Sequence, residues 1–438
     1  MMIKNRKIIP TLCKGCGLCV ALCSQSAISM RRDEIGLYVP QIDQAACMDC
    51  GLCAKTCPAA SEYRKHIVAD SDISQTLLGP FKKVFVGRAT DLDILKNATA
   101  GGIVTALLTS AMNNKIIDSC LEVKADESDP FKSQAVIITN IEDVRGVAGS
   151  RYLPVELSPA IKKLCVDVTL KRTAIVGLPC QLAGVNLAKT LVTELEQKIA
   201  FTIGLFCKQT KDLRFTDLIL RTMKLSKEQV RNIKYRSNGW PGDVTVVLKN
   251  GEVKTRPCGA FNALWGTLSC SPAFCLTCTN PLAETADIAI GDAWLPRYIT
   301  SKKCSSLIVI RTQRGMDIVN RAVVDQVVEL EEINPEEVLD IQPKFIIAAK
   351  KNNYQARLKV LRFFYKDVHS LPTDYATTIN RGSRLEAWWV YLVRVISSSA
   401  LFRHVYRYFP KWLLQIMSGF CLRAWRTIYS RTKPNIDI

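Results

Sequence analysis

Cys13-Lys14-Gly15-Cys16-Gly17-Leu18-Cys19-Val20-Ala21-Leu22-Cys23 is answered further along the chain by Cys47-Met48-Asp49-Cys50-Gly51-Leu52-Cys53-Ala54-Lys55-Thr56-Cys57-Pro58. Both runs follow C-x2-C-x2-C-x3-C, a spacing that holds a pair of [4Fe-4S] clusters. A cubane needs four thiolates converging from different directions. Three closely spaced cysteines wrap one cluster as a loop, and the fourth comes from the start of the other run's helix. The expected assignment is therefore crossed, with Cys13, Cys16, Cys19 and Cys57 on one cluster and Cys47, Cys50, Cys53 and Cys23 on the other. Gly17 and Gly51 suit a loop tight enough to bring backbone N–H groups to inorganic sulfur.

Two other readings of these cysteines fare worse. A disulfide framework belongs to small scaffolds in oxidising compartments, and this chain has 438 residues. Paired zinc sites show C-x2-C pairs divided by a spacer, not four cysteines in a row. Lys4, Arg6 and Lys7 lead straight into the first run with no apolar stretch between, unlike a secretory signal, so the start of the chain is expected in the cytoplasm.

Length favours two or three domains with an ample core, and 48% hydrophobic with 23% charged residues is the balance of an ordinary globular protein. Between the cysteine runs, Ala27-Ile28-Ser29-Met30 and Gly36-Leu37-Tyr38-Val39-Pro40 read as a small hairpin. Gly79-Pro80 is a turn signal and the expected domain boundary. Beyond it, strand-like segments at 84–87, 119–124, 135–139, 173–176, 200–204 and 244–248 interleave with helical patterns at 159–167 and 181–190. That alternation predicts an α/β (α+β) core.

Thr99-Ala100-Gly101-Gly102-Ile103-Val104-Thr105 places two glycines at the start of an apolar helix. Such a start is a phosphate-binding device or a turn with close packing, and local sequence leaves both open. Cys180 and Cys207 each follow a predicted strand, and Cys275-Leu276-Thr277-Cys278 is a C-x2-C pair. Together they make a four-thiolate site, a zinc or redox pair with two bystanders, or merely buried thiols. Cys120, Cys165, Cys258, Cys270, Cys304 and Cys421 show no pattern.

In order along the chain, Ala100-Gly101-Gly102-Ile103-Val104-Thr105-Ala106-Leu107-Leu108, Gly149-Ser150-Arg151-Tyr152, Val176-Gly177-Leu178-Pro179-Cys180-Gln181, Phe206-Cys207, Cys275-Leu276-Thr277-Cys278 and Glu284-Thr285-Ala286-Asp287-Ile288-Ala289-Ile290-Gly291-Asp292-Ala293-Trp294 resemble the beta subunits of coenzyme F420-reducing hydrogenase and F420-dependent formate dehydrogenase. The resemblance spans roughly residues 80–350, and the doubled cysteine run matches a two-cluster bacterial-type ferredoxin domain in front of it. It implies a flavoprotein with FAD near Thr99, Gly101, Gly102, Thr105, Ser150, Arg151 and Tyr152, and a third [4Fe-4S] cluster on Cys180, Cys207, Cys275 and Cys278. Arg151 stands where the family usually has lysine, and Thr99-Ala100 replaces the usual polar residue before the glycines.

The implied activity is an iron–sulfur flavoprotein oxidoreductase. Electrons from a low-potential donor, such as ferredoxin or a partner oxidoreductase subunit, pass through the clusters to FAD and on to an organic acceptor. That acceptor is coenzyme F420-like or a glycan-pathway intermediate; the alternative is a non-catalytic electron-transfer subunit docking a partner. No catalytic residue is assigned. His66, His369 and His404 all lie outside the recognised motifs, leaving Tyr152, Asp292 or solvent as proton donors.

The formal charge is +19, and much of it lies late: Arg381, Arg384, Arg394, Arg403, Arg407, Lys411, Arg423, Arg426, Arg431 and Lys433 face only Glu386 and Asp437. Interleaved with Trp388, Trp389, Tyr391, Trp412 and Trp425, they read as a basic, aromatic helical tail. No run reaches the ~20 apolar residues of a spanning helix, and no nucleic-acid motif is present. Peripheral contact with the inner face of a membrane is expected. The expected domains are 1–66 (two-cluster ferredoxin-like), 67–80 (linker), 81–350 (flavin and iron–sulfur core) and 351–438 (basic helical region).

Overall fold

The computed structural model describes residues 10–59, 77–262, 265, 268–301, 303–341, 344–370, 379–406, 408, 420 and 423–428. Its N-terminal unit is built twice over from the same short pattern. Gly17, at φ 76°, opens the helix Leu18–Ala21, and Gly51, at φ 71°, opens Leu52–Lys55. Between them β1 (Ile28–Arg32) pairs antiparallel with β2 (Tyr38–Ile42), Met30 opposite Pro40.

The core is an eight-stranded mixed sheet. Its strands are β3 (Lys83–Ala89), β4 (Ser119–Ala125), β5 (Ser133–Ile138), β6 (Thr173–Gly177), β7 (Ile199–Leu205), β11 (Ile288–Asp292), β12 (Ser306–Ile310) and β13 (Val328–Glu332), in the order β13-β3-β12-β11-β7-β6-β4-β5. The central strands β4, β6, β7 and β11 run parallel, and the outer pairings are antiparallel. Strands buried on both faces read as continuous apolar runs, and Leu307, Ile308, Val309 and Ile310 of β12 alternate between two cores. One face is covered by the helices Ser158–Val166 and Pro179–Lys189, the other by Ile103–Asn113 and Gln313–Val324. Each Leu, Ile or Phe buried as completely as Leu108, Ile203 or Phe201 contributes about 1.5–3 kcal/mol.

A second sheet, β10 (Val253–Pro257), β9 (Asp243–Leu248) and β8 (Val230–Ser237), packs its apolar side on the helix Leu213–Thr222. The helices Tyr354–Phe364 and Arg381–Ser398 bury Tyr354, Leu358, Leu361, Val390 and Tyr391 against Phe274 and Leu276. Part of the region beyond residue 350 thus packs on the core. Most of the expected tail after Tyr406, with Arg407, Lys411, Trp412 and Cys421, lies outside the described residues, as does His66.

The N-terminal unit is docked, not tethered. Leu157 N–H donates to the Cys16 carbonyl at 2.9 Å, and Leu213 N–H to the Ile35 carbonyl at 2.9 Å. Thr11 donates its N–H and its hydroxyl to the Asp367 carboxylate, each at 2.8 Å. Residues 77–80, assigned to the linker from sequence, belong to the core: Leu78 is fully buried, and the Arg311 guanidinium donates to the Leu78 and Pro80 carbonyls at 3.0 and 2.8 Å.

Candidate redox centres

The doubled helices bring the N-terminal cysteines together in the crossed arrangement. Cys16 has Cys19, Cys57 and Cys13 as its electrostatic neighbours, while Cys53 has Cys50, Cys47 and Cys23. The second set lines a small cavity with Met48, Gly51 and Leu52. Burial pushes the Cys13 and Cys53 thiols up to about 11, and holds Cys16 and Cys19 higher still, with the other thiols adding to the rise. Thiols that resist ionisation alone, yet crowd one another within each set, suit centres that supply positive charge and displace their protons.

Cys180 begins the helix that follows β6, Cys207 follows β7, and Cys275 and Cys278 lie on and just after the 3-10 turn Ala273–Thr277. These three segments are far apart in sequence and meet at one cavity of about 260 Å³, lined by all four cysteines and also by Cys13 and Lys14. Burial raises Cys180 to about 12 and Cys207 well above the ordinary thiol range, the fellow thiols again contributing. Thr210 N–H points at Cys275 Sγ, 3.4 Å away. Among the described residues, no three His, Cys, Asp or Glu side chains converge closely enough for a single metal ion. The cavity of about 260 Å³ between the four thiols has room for a polynuclear iron–sulfur centre.

Cys180 and Cys207 sit at the carboxyl ends of the parallel strands β6 and β7, the edge where open α/β sheets bind ligands. The Cys275–Cys278 segment, which precedes β11, is tied to them by the Cys207 N–H bond to the Pro281 carbonyl at 2.9 Å. The Gly-Gly loop arrives at the same edge, because Ser306, at the start of β12, lies between Gly87 and Asp292 in register. Gly101 N–H donates to Ser306 Oγ at 2.9 Å, and a Cβ on Gly101 would stand 2.5 Å from the Gly87 carbonyl oxygen. Close packing therefore accounts for Gly101. Gly102, at φ 70°, then turns the chain into the helix Ile103–Asn113, which carries buried Thr105.

Thr99 Oγ1 and Ser150 Oγ are 2.9 Å apart, so the two loops expected around a flavin do meet. Arg151 has a buried Nε with no partner, and burial lowers its pKa. Tyr152 packs edge-on against Trp265 at 4.3 Å; burial raises its hydroxyl pKa, with a hydrogen bond to Arg236 opposing.

Sequence reasoning missed the groups that frame this edge. Arg236 of β8 grips Asp292 with two hydrogen bonds of 2.9 Å, and Trp240 Nε1 donates to the same carboxylate at 2.9 Å. Burial opposes the Arg236 charge, but Asp292 and Tyr152 outweigh it and raise its pKa. Trp240 and Trp294 lie 4.8 Å apart beside this pair. Asp292 is thus committed to an ion pair, and Asp287 holds Thr202 N–H at 2.8 Å and Thr312 Oγ1 at 2.7 Å, a structural brace. His404 is exposed.

A ferredoxin-like unit docked on an α/β core, with cysteine sets at their junction, defines an iron–sulfur redox protein. Residues 12–61 match the 4Fe-4S dicluster domain; residues 84–162 and 170–336 match the N-terminal and C-terminal parts of the coenzyme F420 hydrogenase/dehydrogenase beta subunit. The chain belongs to that family. It is 27% identical over 272 residues to the coenzyme F420 hydrogenase subunit beta of Methanosarcina barkeri, covering 60% of this chain and 87% of the relative. To a coenzyme F420-dependent sulfite reductase of Methanocaldococcus jannaschii it is 25% identical, covering 75% of this chain and 49% of the relative. Among solved structures, a chain of the F420-reducing [NiFe] hydrogenase complex from Methanosarcina barkeri superposes with a TM-score of 0.54 at 26% identity, covering 70% of this chain and all of that one. Among the described residues, no helix is long and apolar enough to cross a membrane.

Proposed function

We propose that this chain is an iron–sulfur flavoprotein oxidoreductase. Cys13, Cys16, Cys19 and Cys57, then Cys23, Cys47, Cys50 and Cys53, and finally Cys180, Cys207, Cys275 and Cys278 would each hold one [4Fe-4S] cluster. Electrons would come from a low-potential donor, a ferredoxin or a partner oxidoreductase subunit of the kind its relatives are named for. They would leave to an organic acceptor, F420-like or a glycan-pathway intermediate.

The observation that carries this reading is the continuity of the three thiol sets. Cys53 of the outer set is an electrostatic neighbour of Cys19, and Cys13 lines the same cavity as the core set. Bound clusters supply one-electron steps, and a bound FAD supplies the junction to two-electron chemistry. The chain's own residues supply the rest. The first turn of Ile103–Asn113, with Thr99, Gly102, Thr105 and Ser150, offers donors to a phosphate. The unpartnered Arg151 Nε is a further donor, with Tyr152 beside it.

Anaerobic purification followed by iron, sulfide and flavin assays on one sample tests both halves. About twelve irons and one FAD per chain is the expected result. About eight irons without flavin would overturn the catalytic reading and leave a non-catalytic electron-transfer subunit, an alternative that its relatives' description as subunits favours equally.

Peripheral membrane contact belongs to the same proposal. On Arg381–Ser398 the exposed Leu385, Trp388, Leu392, Val395 and Ile396 recur at helical spacing, and Trp388 lies 6.0 Å from exposed Phe363. Arg381 and Arg384 are exposed beside them, whereas Glu386 is buried. An apolar ridge rimmed by cations matches an anionic lipid surface.

A further inference from the structure

Three lysines reach the core thiol set from three distant parts of the chain. Lys350, 1% exposed, donates from Nζ to the Cys275 carbonyl at 3.0 Å. Lys211, 2% exposed, donates to the Ser269 carbonyl at 2.8 Å and lies 5.4 Å over the Phe215 ring. Lys14, between two cysteines of the N-terminal unit, donates to the Phe274 carbonyl at 3.2 Å, directly before Cys275. Electrostatically, Lys350 faces Cys207 and Cys275, Lys211 faces Cys270 first and then Cys275 and Cys207, and Lys14 faces Cys180 and Cys275. Burying an ammonium is costly unless negative charge compensates it. Of the nearby carboxylates, Asp212 is already committed to Arg214 at 2.6 Å. Two buried lysines and a third at the domain junction, each facing thiols of one four-cysteine set, call for a centre of net negative charge.

We propose that Lys14, Lys211 and Lys350 form a cationic collar that makes the core iron–sulfur centre the most readily reduced of the three. The collar thereby draws electrons from the N-terminal unit inward. The inference rests on the three-cluster reading given under the proposed function. The step is a one-electron transfer: a reduced N-terminal centre is oxidised, the core centre gains that electron, and no proton or covalent bond is exchanged. Reduction adds one negative charge within a site of low effective dielectric. A fixed positive charge nearby favours the reduced state there far more than in water. The outer N-terminal set differs in kind: around Cys53 the shaping influences are burial, the Ala54 N–H and fellow thiols, whereas the first set shares one of the three lysines, Lys14, which also faces Cys13. Lys14 has a further role, because its ammonium spans the gap between the Cys13 loop and the Cys275 loop.

The test is a potentiometric titration of the full, anaerobically purified chain, followed by electron paramagnetic resonance. Lys350→Met, Lys14→Met and Lys350→Arg are compared with wild type, and Lys359→Met, exposed on a neighbouring helix, controls for loss of surface charge. In the wild type, the expected result is that the core centre has the highest of three midpoints. In Lys350→Met its affinity for the electron falls about tenfold, a shift of ~59 mV for one electron. The other two midpoints stay in place, and Lys350→Arg restores most of the change. Lys14→Met shifts the same midpoint in the same direction and moves that of the first N-terminal centre with it, because Lys14 also faces Cys13, while the outer centre stays in place. Unchanged midpoints in variants that retain all their iron overturn the proposal, as does an equal shift of all three. If both methionine variants lose the core iron, the lysines are structural and the proposal also fails. Eight irons in the wild-type chain would instead sink the three-cluster reading itself, so the two failures are distinguishable.

Discussion

Glu386 has no exposure, and its carboxylate is met by the Arg357 guanidinium, with Nε donating at 3.0 Å and Nη2 also bonded, and by Trp425 Nε1 at 2.7 Å. Arg357 in turn reaches the Leu276 carbonyl at 3.4 Å, beside Cys275. Removing one member of a buried pair strands the other, at a cost of about 3–5 kcal/mol, whereas replacing both with apolar groups is often near neutral. Arg357→Leu or Glu386→Leu should therefore lower the thermal midpoint far more than the double substitution does, read by calorimetry. The single variants should also lose core iron, because the pair anchors the loop that carries Cys275. None of this was legible in the sequence. Lys350, Arg357 and Glu386 look like ordinary helical surface charges until tertiary contacts bury them. The cysteines were legible because their spacing is local and doubled.

Matched elements can have unmatched roles, as the two short helices of the N-terminal unit show. Gly17 and Gly51 adopt the same left-handed turn, but a Cβ on Gly17 would stand 2.8 Å from Glu156 Oε2 and 2.9 Å from the Ser158 nitrogen, while one on Gly51 meets nothing within 4 Å. Gly51→Ala should cost only the left-handed strain, about 1–2 kcal/mol. Gly17→Ala should cost that and the docking contact as well, seen as a larger drop in thermal midpoint. Equal drops would count against the docking contact.

At this same scale β3 to β7 and β9 could be read from the sequence as apolar or alternating runs. The strand β11 hid inside the motif Ala286-Asp287-Ile288-Ala289-Ile290-Gly291-Asp292, where the flanking acids suggested a turn. The strand β12 is a serine followed by a bare four-residue apolar run that periodicity cannot separate from buried helix. Without β12 in place, the edge that joins Gly101 to Asp292 was invisible, and so were Arg236 and Trp240.

Across the whole molecule, the ridge on Arg381–Ser398 and the docked N-terminal unit set what the protein can meet. The chain should float with vesicles rich in anionic lipid and stay behind with neutral ones. Raising salt should release it, since screening shortens the reach of surface charge. Trp388→Glu, on a site 40% exposed, should weaken flotation without lowering iron content. Flotation unchanged by that substitution would remove the ridge from the membrane proposal.

The crossed cysteine sets carry a consequence for how the protein is made. Cys57 belongs with the first run and Cys23 with the second, so neither loop can be completed before both helices are in place. Biogenesis of the front unit should then be all-or-none. During stepwise reconstitution, chains bearing one of its two centres should be scarce, and oxygen damage to either should retire both together. The folded population would divide into working molecules and empty ones, with few crippled intermediates to leak electrons.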